Sequence, residues 1–228
     1  MHLRPAVESD ARQMGLIGSR AFADTISTLL FPPHLRVPGA DWFEEETVWR
    51  TARTLRRMRD GKDTLVVVDD VDGVETVVGF AQWDRPAVVV ESDAGEGKAE
   101  ANGEATQEAK SDAAENWVPG MLDAEALVRL EAMIGEESER ILGPRGYKDM
   151  WYLMVLAVDS GHQRRGVGAQ LLRWGLEQAA KEGQKAFLYA TPEGKPLYEK
   201  HGFEVISEVD IGIQHHAMLW TAPDARSN

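Results

Sequence analysis

Eight consecutive apolar or aromatic residues, from Trp151 to Val158, constrain the fold of this chain more than any other feature. Such an unbroken run is typical of a strand that is buried on both faces of a sheet. Residues 165–182 follow with apolar side chains at helical spacing, and residues 185–191 are again strand-like. A strand, a helix and a second strand in this order predict a parallel pair joined by a right-handed crossover. The sequence therefore predicts an α/β fold that contains this parallel pair.

The rest of the chain predicts further strands and helices around this unit. Strands are expected at residues 3–7, 64–69, 76–83, 204–213 and 217–220, with a hairpin between the second and third. Helices are expected at about 10–24, 41–59, 122–142 and 195–201. Pro and Gly residues between positions 31 and 39 predict a loop. A chain of 228 residues with these elements suits a single domain over residues 1–228.

Residues 91–116 differ sharply in composition from the rest of the chain. They are small, polar or charged, and none of them has a large apolar side chain. Such a stretch cannot bury enough surface to order itself, so it is expected to be a flexible insertion within the domain. A solvated helix between residues 98 and 115 is the alternative.

Charge and composition exclude several classes of function. The net charge of -13 argues against binding to nucleic acid or to an anionic membrane surface, since both require a positive face. The absence of cysteine excludes disulfides, thiolate metal sites and an acyl-cysteine intermediate. No apolar run approaches 18 residues, and the first ten residues have no apolar core like that of a signal peptide. The expected location is therefore cytoplasmic.

The segment from Gln163 to Ala169 has the features of an anion site. It lies between the buried strand and the following helix, and Gly166 and Gly168 allow close approach of a ligand to the backbone. N–H groups of the first helical turn and the helix dipole favour an anion there, and Arg164 and Arg165 add positive charge. A turn that merely joins strand to helix would contain the same glycines. The third glycine of the dinucleotide-binding pattern and the Gly-Lys-Ser/Thr of a P-loop are missing.

Two motifs resemble those of one family. The pattern Gln163-x-x-Gly166-x-Gly168, after a strand ending at Val158, is similar to the acetyl-CoA motif of the GNAT (GCN5-related N-acetyltransferase) family. About thirty residues later, Leu197-Tyr198-x-x-x-Gly202-Phe203 is similar to a second element of that family. The stretch from Val155 to Gly166 also resembles fungal members. This resemblance implies a mixed sheet whose central parallel strands splay apart, with helices on both faces.

The resemblance also implies the donor and its binding residues. Acetyl-CoA would be the co-substrate. Its pantetheine arm would pair with the backbone of Leu156 and Val158, and one of their N–H groups would polarise the thioester carbonyl. The pyrophosphate would bind the N–H groups from Arg164 to Ala169. The implied cofactor-binding residues are Leu156, Ala157, Val158, Gln163, Arg164, Arg165, Gly166, Val167, Gly168, Ala169, Thr191 and Tyr198. No metal is implied.

Tyr198 is the candidate catalytic residue. A phenol with a pKa near 10 can donate a proton or a hydrogen bond to the coenzyme A thiolate, since a thiol has a pKa of about 8.5. Packing of the ring against the cofactor is the alternative role.

The general base is not evident from the sequence. Asp159 is close to the motif, although it can equally cap the chain there. Glu45, Glu46 and Asp84 are possible, but each is expected to be a solvated surface charge.

Histidine and tryptophan residues offer weaker signals. His215 and His216 are adjacent and face opposite sides of a strand, while His34, His162 and His201 lack ligand spacing, so all five are expected on the surface or in packing. The tryptophans could line an acceptor pocket but are more typical of a core; they are Trp42, Trp49, Trp83, Trp117 and Trp151.

The leading hypothesis is direct transfer of an acetyl group from acetyl-CoA to a primary amine of a small molecule, in a ternary complex. Two alternatives stay open: acetylation of a protein or peptide amine, and a non-catalytic module that binds acyl-CoA. The sequence does not predict the acceptor's identity or the oligomeric state.

Overall fold

The computed structural model describes residues 1–87, 119–210 and 212–223, and the predicted insertion at 91–116 lies outside them. In the described part, seven strands form one sheet in the order β1-β2-β3-β4-β5-β7-β6. Only β4 and β5 are parallel, as the sequence predicts for the pair that flanks the crossover helix. The strands are β1 (His2–Pro5), β2 (Asp63–Val71), β3 (Val74–Asp84), β4 (Trp151–Val158), β5 (Ala186–Ala190), β6 (Glu204–Asp210) and β7 (Gln214–Trp220).

Six α-helices are present in the same described residues. Five were expected within a few residues of their observed ends, and the short α2, which lies between the first expected helix and the expected loop, was not. They are α1 (Ala11–Ala21), α2 (Ile26–Leu30), α3 (Trp42–Arg59), α4 (Ala124–Leu142), α5 (Val167–Lys181) and α6 (Lys195–Lys200). Asp41 and Asp123 cap α3 and α4 by accepting a hydrogen bond from a first-turn N–H. No helix in the described parts of the chain is long and apolar enough to cross a membrane.

Three apolar clusters pack on the two faces of the sheet. The α5 cluster lies on one face and includes Trp83, Trp151, Leu153, Leu171, Leu172, Met218 and the ring of Tyr198. On the other face, the β4 cluster lies beneath α1 and contains Met14, Ile17, Phe80 and Ala157, with Phe22 and Val155 against it. The β5 cluster lies beneath α2, α3 and α4 and contains Leu30, Phe31, Trp49, Phe187, Val209 and Ala217.

Strand β4 changes register where it separates from β5. Gln82 of β3 pairs with Val155 and Trp83 pairs with Leu153, so Met154 is an extra residue in β4 and forms a β-bulge. The pairing of β4 with β5 ends at the same level, with Leu153 opposite Leu188. The end of β4 beyond the bulge is therefore paired with β3 but not with β5. The two parallel strands separate from this point. This is the splayed sheet that the family resemblance implies.

Helix α5 lies unusually close to the sheet at Gly175. A Cβ atom at this position would overlap the indole ring of Trp83, whose side chain is completely buried. The Trp83 ring packs edge-on against Trp151 of β4, with centroids 6.4 Å apart. The absence of a side chain at Gly175 thus fixes the distance between α5 and the strands that part, and with it the position of the helix N-terminus.

Candidate functional site

The turn between β4 and α5 has the backbone geometry of an anion site. Gly166 has a φ of 87°, and Arg164, with a φ of 58°, is also in the left-handed region. The first hydrogen bond within α5 runs from the N–H of Gln170 to the carbonyl of Gly166 (3.0 Å). The N–H groups of residues 167–169 precede this bond and, by helical geometry, have no intrahelical acceptor. They and the positive end of the helix dipole lie together at this turn.

Gly168 brings this turn against the end of β4 that β5 does not pair. A Cβ there would be 3.2 Å from Leu197, 3.6 Å from Leu156 and 3.7 Å from Val158. The side chains of Leu156 and Val158 therefore lie on the α5 face, whereas Ala157 packs in the β4 cluster on the other face. The predicted pyrophosphate turn and the predicted pantetheine strand are thus adjacent, on one side of the opening between β4 and β5.

The two arginines of the turn differ in their partners. Arg165 donates a hydrogen bond to Asp69 of β2 across 3.4 Å, which offsets part of its charge. Asp69 also contacts the amino group of Met1 (3.2 Å), and these neighbours lower the pKa of its carboxyl. Arg164 is exposed, as is Gln163. Of the two, Arg164 is the arginine without a carboxylate partner among the described residues.

Tyr198 lies on the same side of the opening as the turn. Its ring is 8% exposed and belongs to the α5 cluster with Leu156 and Val158, and it packs edge-on against Phe203 at 5.9 Å. Burial raises the pKa of the Tyr198 hydroxyl above its usual value of 10, so the phenol is neutral at physiological pH. Thr191, at the end of β5, accepts a hydrogen bond from the Gly194 N–H (3.2 Å) and so shapes the turn that leads to Tyr198.

Two of the carboxylates considered as bases have structural partners. Asp159 accepts hydrogen bonds from the Gly161 N–H (3.1 Å) and from Nδ1 of His162 (2.9 Å), so it caps the chain after β4. Asp84 pairs with Lys62 at 2.6 Å and lines a cavity of about 170 Å³. This cavity lies at the opposite end of β4, where Asp84 is paired with Tyr152. Both carboxylates are therefore held by neighbours of their own.

The prediction that Glu46 is a solvated surface charge was wrong. Its side chain is completely buried between α2 and α3. Oε1 accepts hydrogen bonds from Ser27 Oγ (2.6 Å) and Arg50 Nε (2.7 Å). The sequence could not indicate this burial, because Ser27 lies in a helix that was read as the approach to a loop. Glu45 is half-buried, and its Oε2 atom is inaccessible to solvent.

His215 and His216 are both buried, and they face opposite sides of β7 as expected. His215 is paired with Val209 of the β5 cluster, so it lies on the face away from α5. Its Nδ1 donates to the carbonyl of Ile213 (2.9 Å), and burial lowers its pKa. No group of three or more residues able to hold a metal ion is present among the residues described.

Most of the tryptophans belong to the core, as expected. Trp83 and Trp151 are completely buried in the α5 cluster. Trp49 is in the β5 cluster, and Trp42 lies under the guanidinium of Arg36 at 3.7 Å. Trp117 lies outside the described residues.

Comparison with protein-family models supports the resemblance of the motifs. Residues 104–222, over half of the chain, match the model of the acetyltransferase (GNAT) domain. Across 211 residues the sequence is 27% identical to an acetyltransferase of the fungus Stachybotrys chartarum. The aligned region covers 92% of this chain and 83% of that protein.

Solved structures with the same fold belong to acetyltransferases. The mosquito arylalkylamine N-acetyltransferase-like 5b has a TM-score of 0.60 at 16% identity, over 96% of this chain and 99% of that one. A protein described as histone acetyltransferase HPA2 and related acetyltransferase, from Corynebacterium glutamicum, has a TM-score of 0.54 at 20% identity, over 96% of both chains. At these identities the likeness concerns the fold.

Proposed function

This chain belongs to the GNAT family of acetyltransferases and is an acetyl-CoA-dependent N-acetyltransferase, and on that premise we propose that its acceptor is a primary amine of a small molecule. The single observation that carries the proposal is the junction of the α5 N-terminal turn with the unpaired end of β4. One side of the opening can hold the donor there, and the other side is left for an acceptor. The proposed cytoplasmic location remains a prediction from the sequence.

The residues around the opening fit acetyl-CoA. N–H groups at the start of α5 match a pyrophosphate, and Arg164 adds a positive charge beside them. Gly168 leaves no side chain between this turn and the edge of β4. The strand end at residues 154–158, which β5 does not pair, offers backbone groups to the amides of a pantetheine arm. The proposed donor-binding residues are those named from the sequence, with Ala157 contributing backbone alone.

The proposed reaction is a direct transfer in a ternary complex. The amine nitrogen attacks the thioester carbonyl carbon and forms the new C–N bond, and a backbone N–H near the bulge of β4 stabilises the resulting oxyanion. The intermediate collapses by breaking the C–S bond, whose electron pair leaves with sulfur. The nitrogen releases one proton to a base or to solvent. The Tyr198 hydroxyl donates a hydrogen bond to the departing thiolate. Its raised pKa favours this role over complete release of the phenolic proton.

A small acceptor is favoured over a peptide by the helices that pack on the face away from α5. Leu30 of α2, Phe31 directly after it and Trp49 of α3 are buried there against β5 and β7. An extended peptide would need an open groove across the parted strands. The mosquito protein of the same fold is named for arylalkylamines, which are small primary amines.

The test is release of free thiol from acetyl-CoA in the presence of a panel of primary amines and of peptides with free amino groups. We expect amine-dependent release with small amines, together with formation of the N-acetyl product. Turnover with peptides alone would replace the small-molecule proposal by peptide acetylation. If acetyl-CoA raises the melting temperature but no amine or peptide is acetylated, the proposed function is wrong.

A further inference from the structure

The acceptor has to enter from the face of the sheet opposite to α5, an inference that rests on the proposed function. Gly168 and the α5 cluster occupy the face of Leu156 and Val158. Val155 and Ala157 of the same strand face α1 on the other side. A thioester held from the α5 face is therefore open to attack from the α1 face. Whatever recognises the amine must lie there.

A buried polar group lies on that face between the two apolar clusters. The guanidinium carbon of Arg50 is 5.3 Å from the ring centroid of Phe22, which packs on the β4 cluster. It is also 5.7 Å from the ring centroid of Trp49, which belongs to the β5 cluster. A Cβ on Gly18 would be 3.2 Å from Arg50 and 3.8 Å from Phe80, the β3 residue paired with Ala157. Arg50 and its partners thus lie above the region where β4 and β5 part.

Glu46 is the centre of this group, and its hydrogen bonding is incomplete. Both of its bonds, from Ser27 Oγ and from Arg50 Nε, go to Oε1. Oε2 is inaccessible to solvent and has no hydrogen-bond partner among the described residues. A buried carboxylate oxygen without a donor is costly, and such an atom in a native protein calls for an explanation. A ligand that donates to Oε2 would supply the missing bond.

We propose that Oε2 of Glu46 binds the ammonium group of the acceptor amine beside the thioester. The ammonium then loses one proton to solvent, and the neutral amine that remains donates a hydrogen bond to Oε2 while its lone pair attacks the carbonyl carbon. A primary ammonium has N–H donors and a positive charge, which match a buried anionic oxygen better than a neutral donor does. Arg50 and Ser27 hold the carboxylate from its other oxygen and leave Oε2 free for this contact. Glu46 is therefore assigned as an acceptor-binding residue of the acetyltransferase.

The surroundings of Glu46 define the rest of the acceptor. The ring centroids of Phe22 and Trp49 lie 5.3 Å and 5.7 Å from the guanidinium carbon of its partner Arg50. Phe31 stands edge-on to Trp49, with centroids 5.6 Å apart. Aromatic surfaces of this kind favour an apolar ring and also tolerate a nearby cation. The geometry points to arylalkyl primary amines, in which an ammonium and an aromatic ring are joined by a short chain.

The first experiment compares the wild type with Glu46→Gln, using 2-phenylethylamine as the acceptor. Loss of a charge-assisted hydrogen bond should raise the KM for the amine about tenfold or more. The KM for acetyl-CoA should be unchanged, since the donor is held from the other face. Glu44→Gln is the matched control, because Glu44 lies on the same helix but is exposed and pairs with Arg12 at the surface. It should behave like the wild type.

A second measurement separates recognition of charge from a merely structural role. 2-Phenylethanol has the same ring and chain with a hydroxyl in place of the ammonium, and it should inhibit competitively against the amine. Glu46→Gln should leave its inhibition constant within about twofold of the wild-type value, because a neutral hydroxyl gains little from the carboxylate charge. If the variant weakens amine and alcohol equally, Glu46 only supports the fold of the site, and the proposal is overturned.

The double variant Glu46→Gln/Arg50→Gln is a control for a folding defect in Glu46→Gln. It removes both buried charges, so that no uncompensated charge remains in the interior. The same selective loss for the amine is expected. An unchanged KM for 2-phenylethylamine in either variant overturns the assignment, as does a wild-type enzyme that acetylates other amines but not this one. Absence of transfer to every amine in the wild type would instead refute the proposed function.

Discussion

At the scale of single residues, Tyr198 is the side chain for which sequence and structure give complementary information. The motif Leu197-Tyr198-x-x-x-Gly202-Phe203 indicates its importance by resemblance. The structure adds that the ring is buried beside Leu156 and Val158, and that burial raises the pKa of the hydroxyl. A phenol that stays neutral is suited to stabilise the thiolate as it leaves.

Tyr198→Phe should therefore lower kcat with little change in the affinity for acetyl-CoA. A hydrogen bond made mainly to the departing sulfur acts in the transition state, and its loss should reduce kcat by about tenfold to a hundredfold. Steady-state kinetics at saturating amine, together with calorimetric titration of acetyl-CoA, measures both quantities. An unchanged kcat would leave Tyr198 as a packing residue.

Burial of His215 predicts a specific dependence of stability on pH. Its pKa is lowered chiefly by burial and also by His216, although the carbonyl of Ile213 and Glu193 act in the opposite direction. The unfolded chain, with a histidine pKa of about 6.5, then binds a proton more readily than the folded one. The stability contribution is complete above pH 6.5 and is lost as the pH falls from there through the lower pKa of the folded state.

His215→Asn removes this titration and keeps a side-chain N–H that can reach the carbonyl of Ile213. The free energy of unfolding, measured by urea denaturation between pH 7.5 and 5, should fall less steeply in the variant. The difference in slope is at most about 1.4 kcal/mol per pH unit, the value for one proton. Parallel curves for variant and wild type would show that His215 does not titrate differently in the two states.

At the scale of elements, the crossover from β4 through α5 to β5 could be predicted from the sequence, whereas the bulge could not. The apolar run from Trp151 to Val158 predicts both ends of β4, and the helical spacing predicts both ends of α5 to within two residues. The bulge at Met154 depends on how β3 pairs with β4, which no local pattern records. The burial of Glu46 could not be predicted for the same reason, because Ser27 of α2 meets it only in the folded chain. Its pairing with Arg50, four residues along α3, is local and would occur equally on an exposed helix.

The close contact between α5 and the sheet predicts that Gly175→Ala is strongly destabilising. The new methyl group would meet the completely buried Trp83 ring, which has no free space into which to move. Overpacking of this kind costs about 1–3 kcal/mol, which thermal or urea denaturation would detect. Gly135→Ala in α4 is the matched control, because nothing lies within 4 Å of its Cβ position, and it should stabilise by roughly 0.5–1 kcal/mol. Equal stability of the two variants would contradict the packing described for α5.

At the scale of the whole molecule, the proposed site divides between the two faces of the sheet. The proposed donor-binding residues come from the last third of the chain, where the family resemblance of the motifs suggested them. The proposed acceptor-binding residues come from α1, α2 and α3, whose sequences carry no family motif and whose arrangement follows from tertiary packing. We propose that residues 1–228 act as one domain around this division, with the stretch at 91–116 as an insertion.

The turn from Gln163 to Gly168 is the proposed binding site for the pyrophosphate of acetyl-CoA. Gly166→Ala puts a side chain on a residue with a φ of 87°, a conformation that costs an L residue about 1–2 kcal/mol. Relaxation of the turn would misalign the N–H groups at the start of α5. Gly183→Ala is the matched control, because Gly183 ends the same helix with a φ of 64° and open space around its Cβ position.

The decisive measurement is kcat/KM of these two variants and of the wild type with acetyl-CoA and with S-acetylpantetheine, which lacks the pyrophosphate. Gly166→Ala should lower kcat/KM about tenfold for acetyl-CoA, the equivalent of about 1.4 kcal/mol, and less than about twofold for S-acetylpantetheine. Gly183→Ala should leave both values close to those of the wild type. An equal loss with the two donors in Gly166→Ala, or no loss with either, would contradict the assignment of this turn.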